Sequence, residues 1–417
     1  MSAVLDLQAA AGIGAFIALA LPFSSAVRRI RWRLVAAAIA LQFAICFLLL
    51  RVPPIAAALK RLNLVVAALS EATRHGTAFV FGYAGGAPAP FAVTHPEALT
   101  VFAFQVIPII LVFSALSAVL WYWRVLPFVI RAIAWCFERL LGVTGPAGFA
   151  VTANVFVGQV EAPLLVRPYL ARMTRHELLL LMTAGMTMTA GSMLVVYAAM
   201  LSSHFDNMLS QLLTKSLMSI PAAILFAHLM LPDDAASAGT VTPGRLYTST
   251  MDALTRGTTD GLQIWLSVIA ILIVLIAMIA LVNLGLGELP PVGGAPLSLE
   301  RVVGWLFAPI AWLMGIPWSE ASEAGSLLGI KTVLNEFIAY LRLAEIGPGT
   351  LSARTRLVVI YALCGFANLA SMGIQISGIA AMAPERRADL NALAWRSLLG
   401  ATLASCLTGA VVGIVAF

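Results

Sequence analysis

The feature that most constrains this chain is a series of apolar runs of about 20 residues each, the length that crosses a bilayer as a helix. The runs lie near residues 7–26, 34–51, 99–122, 177–202, 207–231, 263–286, 355–380 and 392–416. Only 11% of the 417 residues are charged, against about 25% in soluble domains. The sequence therefore predicts an all-α polytopic membrane protein with about eight transmembrane helices.

The formal net charge of +6 does not indicate a nucleic-acid partner, because Lys and Arg concentrate in the cytoplasmic loops of membrane proteins. The densest basic connections lie at residues 28–33, 124–139 and 385–387. If all three are cytoplasmic, both termini are periplasmic. We therefore expect a multi-pass protein of the bacterial inner membrane, with the lipid bilayer as its surroundings.

Several hydrophobic segments are too polar or too broken to be simple spans. They lie at residues 53–84, 124–142, 147–170, 300–317 and 320–346. Non-helical backbone at membrane depth is tolerated only where it is packed in protein or lines a cavity. We expect these segments to form interfacial helices or re-entrant hairpins, and the polar stretch 232–258 to form a cytoplasmic loop.

Two of these segments contain similar polar clusters. Residues 154–165 read NVFVGQVEAPLL and residues 329–340 read GIKTVLNEFIAY, so that a glycine precedes Glu161 in one and Glu336 in the other. Ionisable residues in apolar stretches are costly and are usually functional. Paired interruptions in the two halves of a chain indicate the central site of a transporter. The alternative is that both carboxylates lie at the membrane interface near helix ends.

Two further polar stretches interrupt apolar runs. Asn368 and Ser371 are spaced i, i+3 on one helix face, with Phe366 nearby, although the small residues around them would also form a packing seam. Residues 187–192, TMTAGS, interrupt the run 177–202. Their hydroxyl groups and freed carbonyls would coordinate a cation or bond to their own helix.

The chemistry of these residues suits a neutral, polyhydroxylated solute with a flat heterocycle, because carboxylates accept hydroxyl protons and an aromatic ring offers a stacking face. Taken alone, it predicts a polar organic solute and a coupling cation. An intramembrane enzyme with Glu161 and Glu336 as an acid/base pair is the main alternative class. No Ser/His or metal-binding pattern in the sequence supports it, and paired hairpins suit occlusion better than a passive channel.

From about residue 100 to its end, the chain resembles the concentrative nucleoside transporter family. The resemblance rests on residues 158–165 (GQVEAPLL), 317–318 (PW), 329–340 and 364–368 (CGFAN). It implies a homotrimer whose protomers contain two re-entrant hairpins, interfacial helices and an inverted repeat. It also implies an elevator-like movement of the hairpin-bearing domain against a trimeric scaffold.

The same resemblance implies roles for individual residues. The substrate-binding positions are Gln159, Val160 and Glu161 at the nucleobase, Phe366 packed against the base, and Glu336, Asn368 and Ser371 at the ribose. The sodium-binding positions are Asn154, the carbonyl of Val157, and Met188 or Thr189.

Two departures from the family pattern bear on specificity. Val160 stands where the family usually has a threonine, which puts the base preference in question. Met188 stands where a serine or threonine often helps to bind sodium, and a thioether is a poor ligand for a hard cation. Thr189 or backbone carbonyls would substitute, or else the coupling ion is a proton. Asn154 favours sodium.

The predicted function is cation-coupled import of nucleosides without enzymatic turnover; the alternative solute is a modified nucleoside or a nucleobase. The predicted divisions are 1–98 (transmembrane helices and an interfacial helix), 99–142 (scaffold and interfacial helices), 143–231 (first hairpin repeat of the transport domain), 232–318 (cytoplasmic loop, scaffold and interfacial helices) and 319–417 (second hairpin repeat and C-terminal helix).

Overall fold

The computed structural model describes residues 2–94, 99, 101–143, 145–202, 205, 207–232, 246–347 and 349–417. These residues form helices and one isolated β-bridge, and none of them lies in a β-strand. The α-helices in chain order are α1 (Ser2–Ala20), α2 (Trp32–Arg51), α3 (Pro53–Phe81), α4 (Phe102–Gln105), α5 (Ile109–Tyr122), α6 (Val125–Leu141), α7 (Gly145–Ala153), α8 (Glu161–Leu165), α9 (Arg167–Leu170), α10 (Arg175–Thr187), α11 (Gly191–Leu201), α12 (Met208–Met230), α13 (Thr250–Gly287), α14 (Leu299–Leu313), α15 (Trp318–Val333), α16 (Glu336–Glu345), α17 (Ala353–Leu363), α18 (Leu369–Met382) and α19 (Arg387–Ala416).

Seven helical segments among the described residues are long and apolar enough to cross a membrane, and each corresponds to one of the predicted runs. Helices α14 and α15, bent by 117° at their junction, make an eighth if the pair is counted as one span. The all-α polytopic class is therefore confirmed. The segments are Ala3–Phe23, Trp32–Arg51, Phe102–Tyr122, Arg175–Leu201, Met208–Met230, Thr250–Gly287 and Pro384–Ala416.

The prediction of one continuous helix over residues 355–380 is wrong, because the chain breaks between α17 and α18. Gly365 adopts φ +142°, and a Cβ there would lie 2.3 Å from the Thr187 carbonyl oxygen, so only glycine fits. Asn368 then caps α18, its Oδ1 accepting the Ser371 N–H at 2.7 Å. The i, i+3 spacing of these two residues therefore marks the start of a helix.

The predicted loop over residues 232–258 is wrong for its last part. Helix α13 begins at Thr250, and the Ser249 hydroxyl accepts the Asp252 N–H at 3.0 Å. This side-chain cap satisfies one of the free amides of the first turn. Residues 233–245 of the predicted loop lie outside the described part of the chain.

The core lies among α10, α12 and α19, which pack against one another and against α2 and α17. In the most apolar stretch of α12, 89% is buried inside the protein, compared with 17% in α13. Helix α13 instead packs along α5, where a Cβ at Gly257 would lie 2.7 Å from the Ala118 Cβ. Small residues let two helix backbones approach closely, so α5 and α13 form a tight pair beside the central bundle.

Each half of the chain contains two helices in contact, called a hairpin here, followed by a helix with a break. In the first half, α7 and α8 form the hairpin and α10 and α11 the broken helix. In the second half, α15 and α16 form the hairpin and α17 and α18 the broken helix. The interruption predicted at 187–192 is confirmed, since α10 ends at Thr187 and α11 begins at Gly191.

Candidate functional site

The breaks of the two discontinuous helices lie against each other in the middle of the fold. The Phe366 N–H donates to the Met188 carbonyl at 3.3 Å. The Thr189 hydroxyl lies 3.5 Å from the Cys364 Sγ. All four of these positions are in non-helical backbone, although Met188 and Cys364 still donate their N–H groups to the last turn of the preceding helix. The sequence predicted both polar stretches but not their contact.

Two buried lysines donate to carbonyls at the ends of the broken helices. Lys215 of α12 donates its Nζ to the carbonyl of Thr187, the last residue of α10. Lys331 of α15 donates its Nζ to the Ala362 carbonyl near the end of α17, at 2.7 Å. The last carbonyls of a helix lack partners and carry partial negative charge, so each ammonium group stabilises one break. The sequence signal for Lys215 was a single lysine inside an apolar run.

Glu336 is the centre of the polar site at the second hairpin. It is the first residue of α16 and is buried, at 4% exposure. Its Oε1 accepts the Tyr197 hydroxyl at 2.7 Å, and its Oε2 accepts the Asn368 Nδ2 at 3.1 Å. Asn335 caps the same helix by accepting the Ile338 N–H at 2.9 Å. Two donors and a helix N-terminus thus stabilise a carboxylate away from water.

Tyr197 is a site residue that sequence reasoning missed. It lies on α11 and is fully buried, with its ring centroid 4.9 Å from that of Tyr340. Tyr340 is fixed in turn by donating its hydroxyl to the Ile360 carbonyl at 2.8 Å. Tyr197 and Glu336 are 139 positions apart, so no local spacing links them.

The tip of the first hairpin packs against the break between α10 and α11. The Asn154 Nδ2 donates to the Ala184 carbonyl of α10 at 3.0 Å. The Gly191 N–H donates to the Phe156 carbonyl at 3.2 Å, and a Cβ on Gly191 would lie 2.6 Å from that oxygen. The hairpin therefore docks on the start of α11 at a point where only glycine fits.

The polar residues of the first hairpin are less engaged than those of the second. Gln159 is buried, and its Oε1 has no hydrogen-bond partner within the described part of the chain. Glu161 is exposed at the start of α8. Its carboxylate lies over Gly158, where a Cβ would be 2.1 Å from the Glu161 Oε2.

One face of α18 connects the two hairpins. Asn368, Ser371, Gln375 and Gly378 follow one another at spacings of three or four residues, which place them on one side of the helix. Asn368 contacts Glu336 at one end. At the other end, a Cβ on Gly378 would lie 2.8 Å from the Val160 Cγ1 of the first hairpin. The face spans roughly 15 Å.

The structure thus brings most of the predicted substrate residues to the α18 face or the adjoining break. Phe366 is half-buried in the break. Gln375 is fully buried on the same face and was missed, although its i+7 spacing from Asn368 was available in the sequence.

The predicted cation ligands include oxygen donors. Because Asn154 uses its Nδ2 to reach Ala184, its carboxamide oxygen points away from that bond. The break contains the Met188 carbonyl, which accepts the Phe366 N–H, and the Thr189 hydroxyl. Hard cations prefer such oxygen ligands, and Met188 would contribute its carbonyl oxygen and not its sulfur.

Polar groups at the ends of broken helices, facing paired hairpins in an apolar helical chain, define the class of the molecule. This is the architecture of a secondary transporter, in which discontinuous helices form a site for solute and ion.

Comparison with known proteins identifies the family within that class. The model described as Na+ dependent nucleoside transporter C-terminus matches residues 211–413. The corresponding N-terminus model matches residues 11–84, and a model described as nucleoside recognition matches residues 103–204. The chain belongs to the concentrative nucleoside transporter family. Members of this family are transporters and not enzymes.

Relatives and solved structures match nearly the whole of this chain. The uncharacterized transporter YutK of Bacillus subtilis is 36% identical, over 97% of this chain and 98% of its own. The sodium/nucleoside cotransporter 1 of Mus musculus is 33% identical, over 97% of this chain and 63% of the mouse protein. The structure of CNTnw in an inward-facing substrate-bound state has a TM-score of 0.89 and 34% identity, and covers 100% of this chain and 98% of that one.

Proposed function

We propose that this protein is a cation-coupled symporter that imports nucleosides across the bacterial inner membrane. The α18 face carries this proposal, because it joins a buried carboxylate at Glu336 to the first hairpin at Val160, next to Gln159. A nucleoside has hydroxyl groups at one end and a flat polar ring at the other, which matches this order of groups.

In this proposal each group of residues has one role. Glu336, Asn368 and Ser371 bind the ribose, in the region where the Asn368 Nδ2 already donates to Glu336. Gln159 and Glu161 bind the nucleobase beside Val160, and Phe366 packs against its ring. Asn154, Val157, Met188 and Thr189 bind the coupling cation. Sodium is the favoured ion because Asn154 is present, and the proton is the alternative.

Transport follows an elevator-like movement in which the two hairpin repeats, residues 143–231 and 319–417, move together. The tight pair of α5 and α13 belongs to the scaffold, which three protomers share in a homotrimer. Both hairpins are re-entrant and both termini are periplasmic. The direct contact of the two helix breaks supports a single moving body, because the Phe366 N–H joins them through the Met188 carbonyl.

Uptake into proteoliposomes tests this function. We expect radiolabelled uridine or adenosine to accumulate unchanged above its external concentration when a sodium gradient is imposed. Uptake that is unaffected by the removal of sodium but is collapsed by a protonophore would assign the coupling to protons. Chemical conversion of the labelled solute, or equilibration without accumulation, would contradict the proposal.

A second candidate solute follows from Val160, whose side chain packs at Gly378 in place of a polar group. A modified nucleoside or a free nucleobase would make fewer polar contacts there. A thermal-shift panel of nucleosides and bases, with and without sodium, separates these solutes, because a ligand that binds the folded state raises the melting temperature.

A further inference from the structure

Gln375 is the one polar residue of the α18 face to which the proposed function gives no role. It lies between Ser371, at the ribose end, and Gly378, which meets Val160 of the first hairpin. Its side chain is fully buried, yet neither its Nε2 nor its Oε1 has a hydrogen-bond partner within the described residues. An unpaired buried amide costs free energy, so this position requires an explanation.

The surroundings of Gln375 show where its carboxamide points. Its Nε2 lies beside Gly185 of α10, where a Cβ would be only 2.0 Å from that nitrogen. The Gln159 Cβ lies 3.2 Å from the same point, so both glutamines pack over one glycine. The absence of a side chain at Gly185 makes room for the amide of Gln375 next to the first hairpin tip.

The two glutamines share a chemical property. The Oε1 of Gln159 also lacks a hydrogen-bond partner in the described part of the chain and belongs to a buried residue. A carboxamide presents an acceptor and a two-hydrogen donor side by side. The carboxamide of Gln375 lies over Gly185 and the Cβ of Gln159 packs beside it. Together the two side chains offer groups complementary to a flat ring edge that bears both a donor and an acceptor.

We propose that Gln375 is a specificity-determining residue that, together with Gln159, recognises the nucleobase through hydrogen bonds. The substrates are then nucleosides whose base has a hydrogen-bond donor and an acceptor on adjacent edge atoms. This inference rests on the proposed function and deepens it. It also gives the site a polar group near the base where Val160 supplies none.

The energetic reason is the cost of a mismatch. When a base with a matching edge binds, it supplies partners for amide groups that are already out of water. A ring without polar atoms supplies no such partners and gains nothing from the amides, so the site prefers a base with the matching edge.

Binding of two ligands by the full-length protein tests the inference. The first ligand is whichever of uridine and adenosine binds wild type more tightly. The second is a ribosyl benzene, which keeps the ribose and a flat ring but has no polar atom on that ring. We expect Gln375→Met to weaken nucleoside binding by roughly 5-fold to 100-fold and to leave ribosyl benzene binding within about twofold, because methionine preserves the volume and removes the amide.

The matched control is Gln42→Met. Gln42 is a fully buried glutamine of α2 whose Oε1 also has no partner among the described residues. It should leave the ratio of the two affinities at the wild-type value. Gln375→Glu, which keeps the length and an acceptor but loses the amide donor, is the second variant if the methionine variant does not fold.

Each outcome of the experiment is decisive. An equal loss for both ligands in either variant would assign Gln375 a structural role and overturn the inference, as would an unchanged affinity for the nucleoside. A selective loss for the nucleoside supports it. Failure of wild type to bind any nucleoside would contradict the proposed function itself.

Discussion

The two hairpins have similar sequences around their carboxylates. They differ in how far each carboxylate is buried and hydrogen-bonded. At the second hairpin, Glu336 is buried and accepts two hydrogen bonds, and Asn335 caps the helix that carries it. At the first, Glu161 is exposed, and α8 begins without a side-chain cap.

The second hairpin is therefore the preformed end of the site, and the first hairpin is the adaptable end. Donors that are already in place lose no conformational entropy when the ligand arrives, whereas an exposed side chain must be ordered. We therefore expect the ribose end to contribute most of the affinity and the first hairpin to adjust to the base. The predictions that follow test this contrast.

The largest effect is expected from Glu336→Gln. The amide removes the charge that Tyr197 and Asn368 were placed to stabilise, and hydrogen bonds to charged groups contribute about 1.5–3 kcal/mol each. Concentrative uridine uptake by proteoliposomes should fall at least about 100-fold, with the protein still folded in the membrane. Glu385→Gln, at an exposed carboxylate, is the control. Uptake at the wild-type rate in the Glu336 variant would show that the ribose assignment is wrong.

A smaller effect is expected from Glu161→Gln. Because this carboxylate has no hydrogen-bond partner in the described residues and is exposed, its loss should leave the melting temperature unchanged. Nucleoside affinity should fall roughly 10-fold, the value of one charge-assisted hydrogen bond gained only on binding. Isothermal titration with the purified protein measures this. A loss as large as that of Glu336→Gln would remove the contrast between the two hairpins.

Tyr197→Phe tests whether the second hairpin is preorganised. The variant removes one of the two side-chain donors to Glu336, and nucleoside affinity should fall about 3-fold to 10-fold. Tyr361→Phe is the matched control, since this buried tyrosine donates to the Gln211 Oε1 at 2.8 Å and does not contact Glu336. If both variants lose affinity equally, the Tyr197 hydroxyl serves stability alone.

The smallest effect concerns Lys215, whose ammonium group lies next to the proposed cation ligands. Like charges about 4 Å apart repel by about 1 kcal/mol even at the dielectric constant of water, so Lys215→Met should raise apparent sodium affinity at least about fivefold. Sodium-dependent thermal stabilisation measures it, and Lys331→Met at the other break should not share the gain. If sodium stabilises neither wild type nor variant, the coupling ion is not sodium.

Much of the fold was visible in the sequence because apolar length and glycine-carboxylate spacing are local signals. The break at residues 364–368 was missed because Asn368 and Ser371 were assigned to a continuous helix face, although an asparagine three residues before a serine also suits a helix cap. The start of α13 was missed because Ser249, which caps this helix, was assigned to a polar loop.

The rest of the candidate site depends on contacts between distant positions. Tyr197 meets Glu336, and Lys215 meets Thr187, only because the central helices pack together. Neither pair has a spacing that predicts its contact. The family resemblance supplied roles for Gln159, Glu336 and Asn368, but it offered no reason to select Gln375.

The two buried lysines also bear on how the membrane voltage acts on transport. In the proposed elevator cycle, Lys215 and Lys331 move with the hairpins, so they cross the membrane in both directions and their work against the voltage cancels over a complete cycle. The coupling ion crosses in one direction only. One elementary charge that crosses the membrane changes the free energy by about 2.3 kcal/mol per 100 mV. An inside-negative voltage therefore drives the complete import cycle through the charge of the coupling ion.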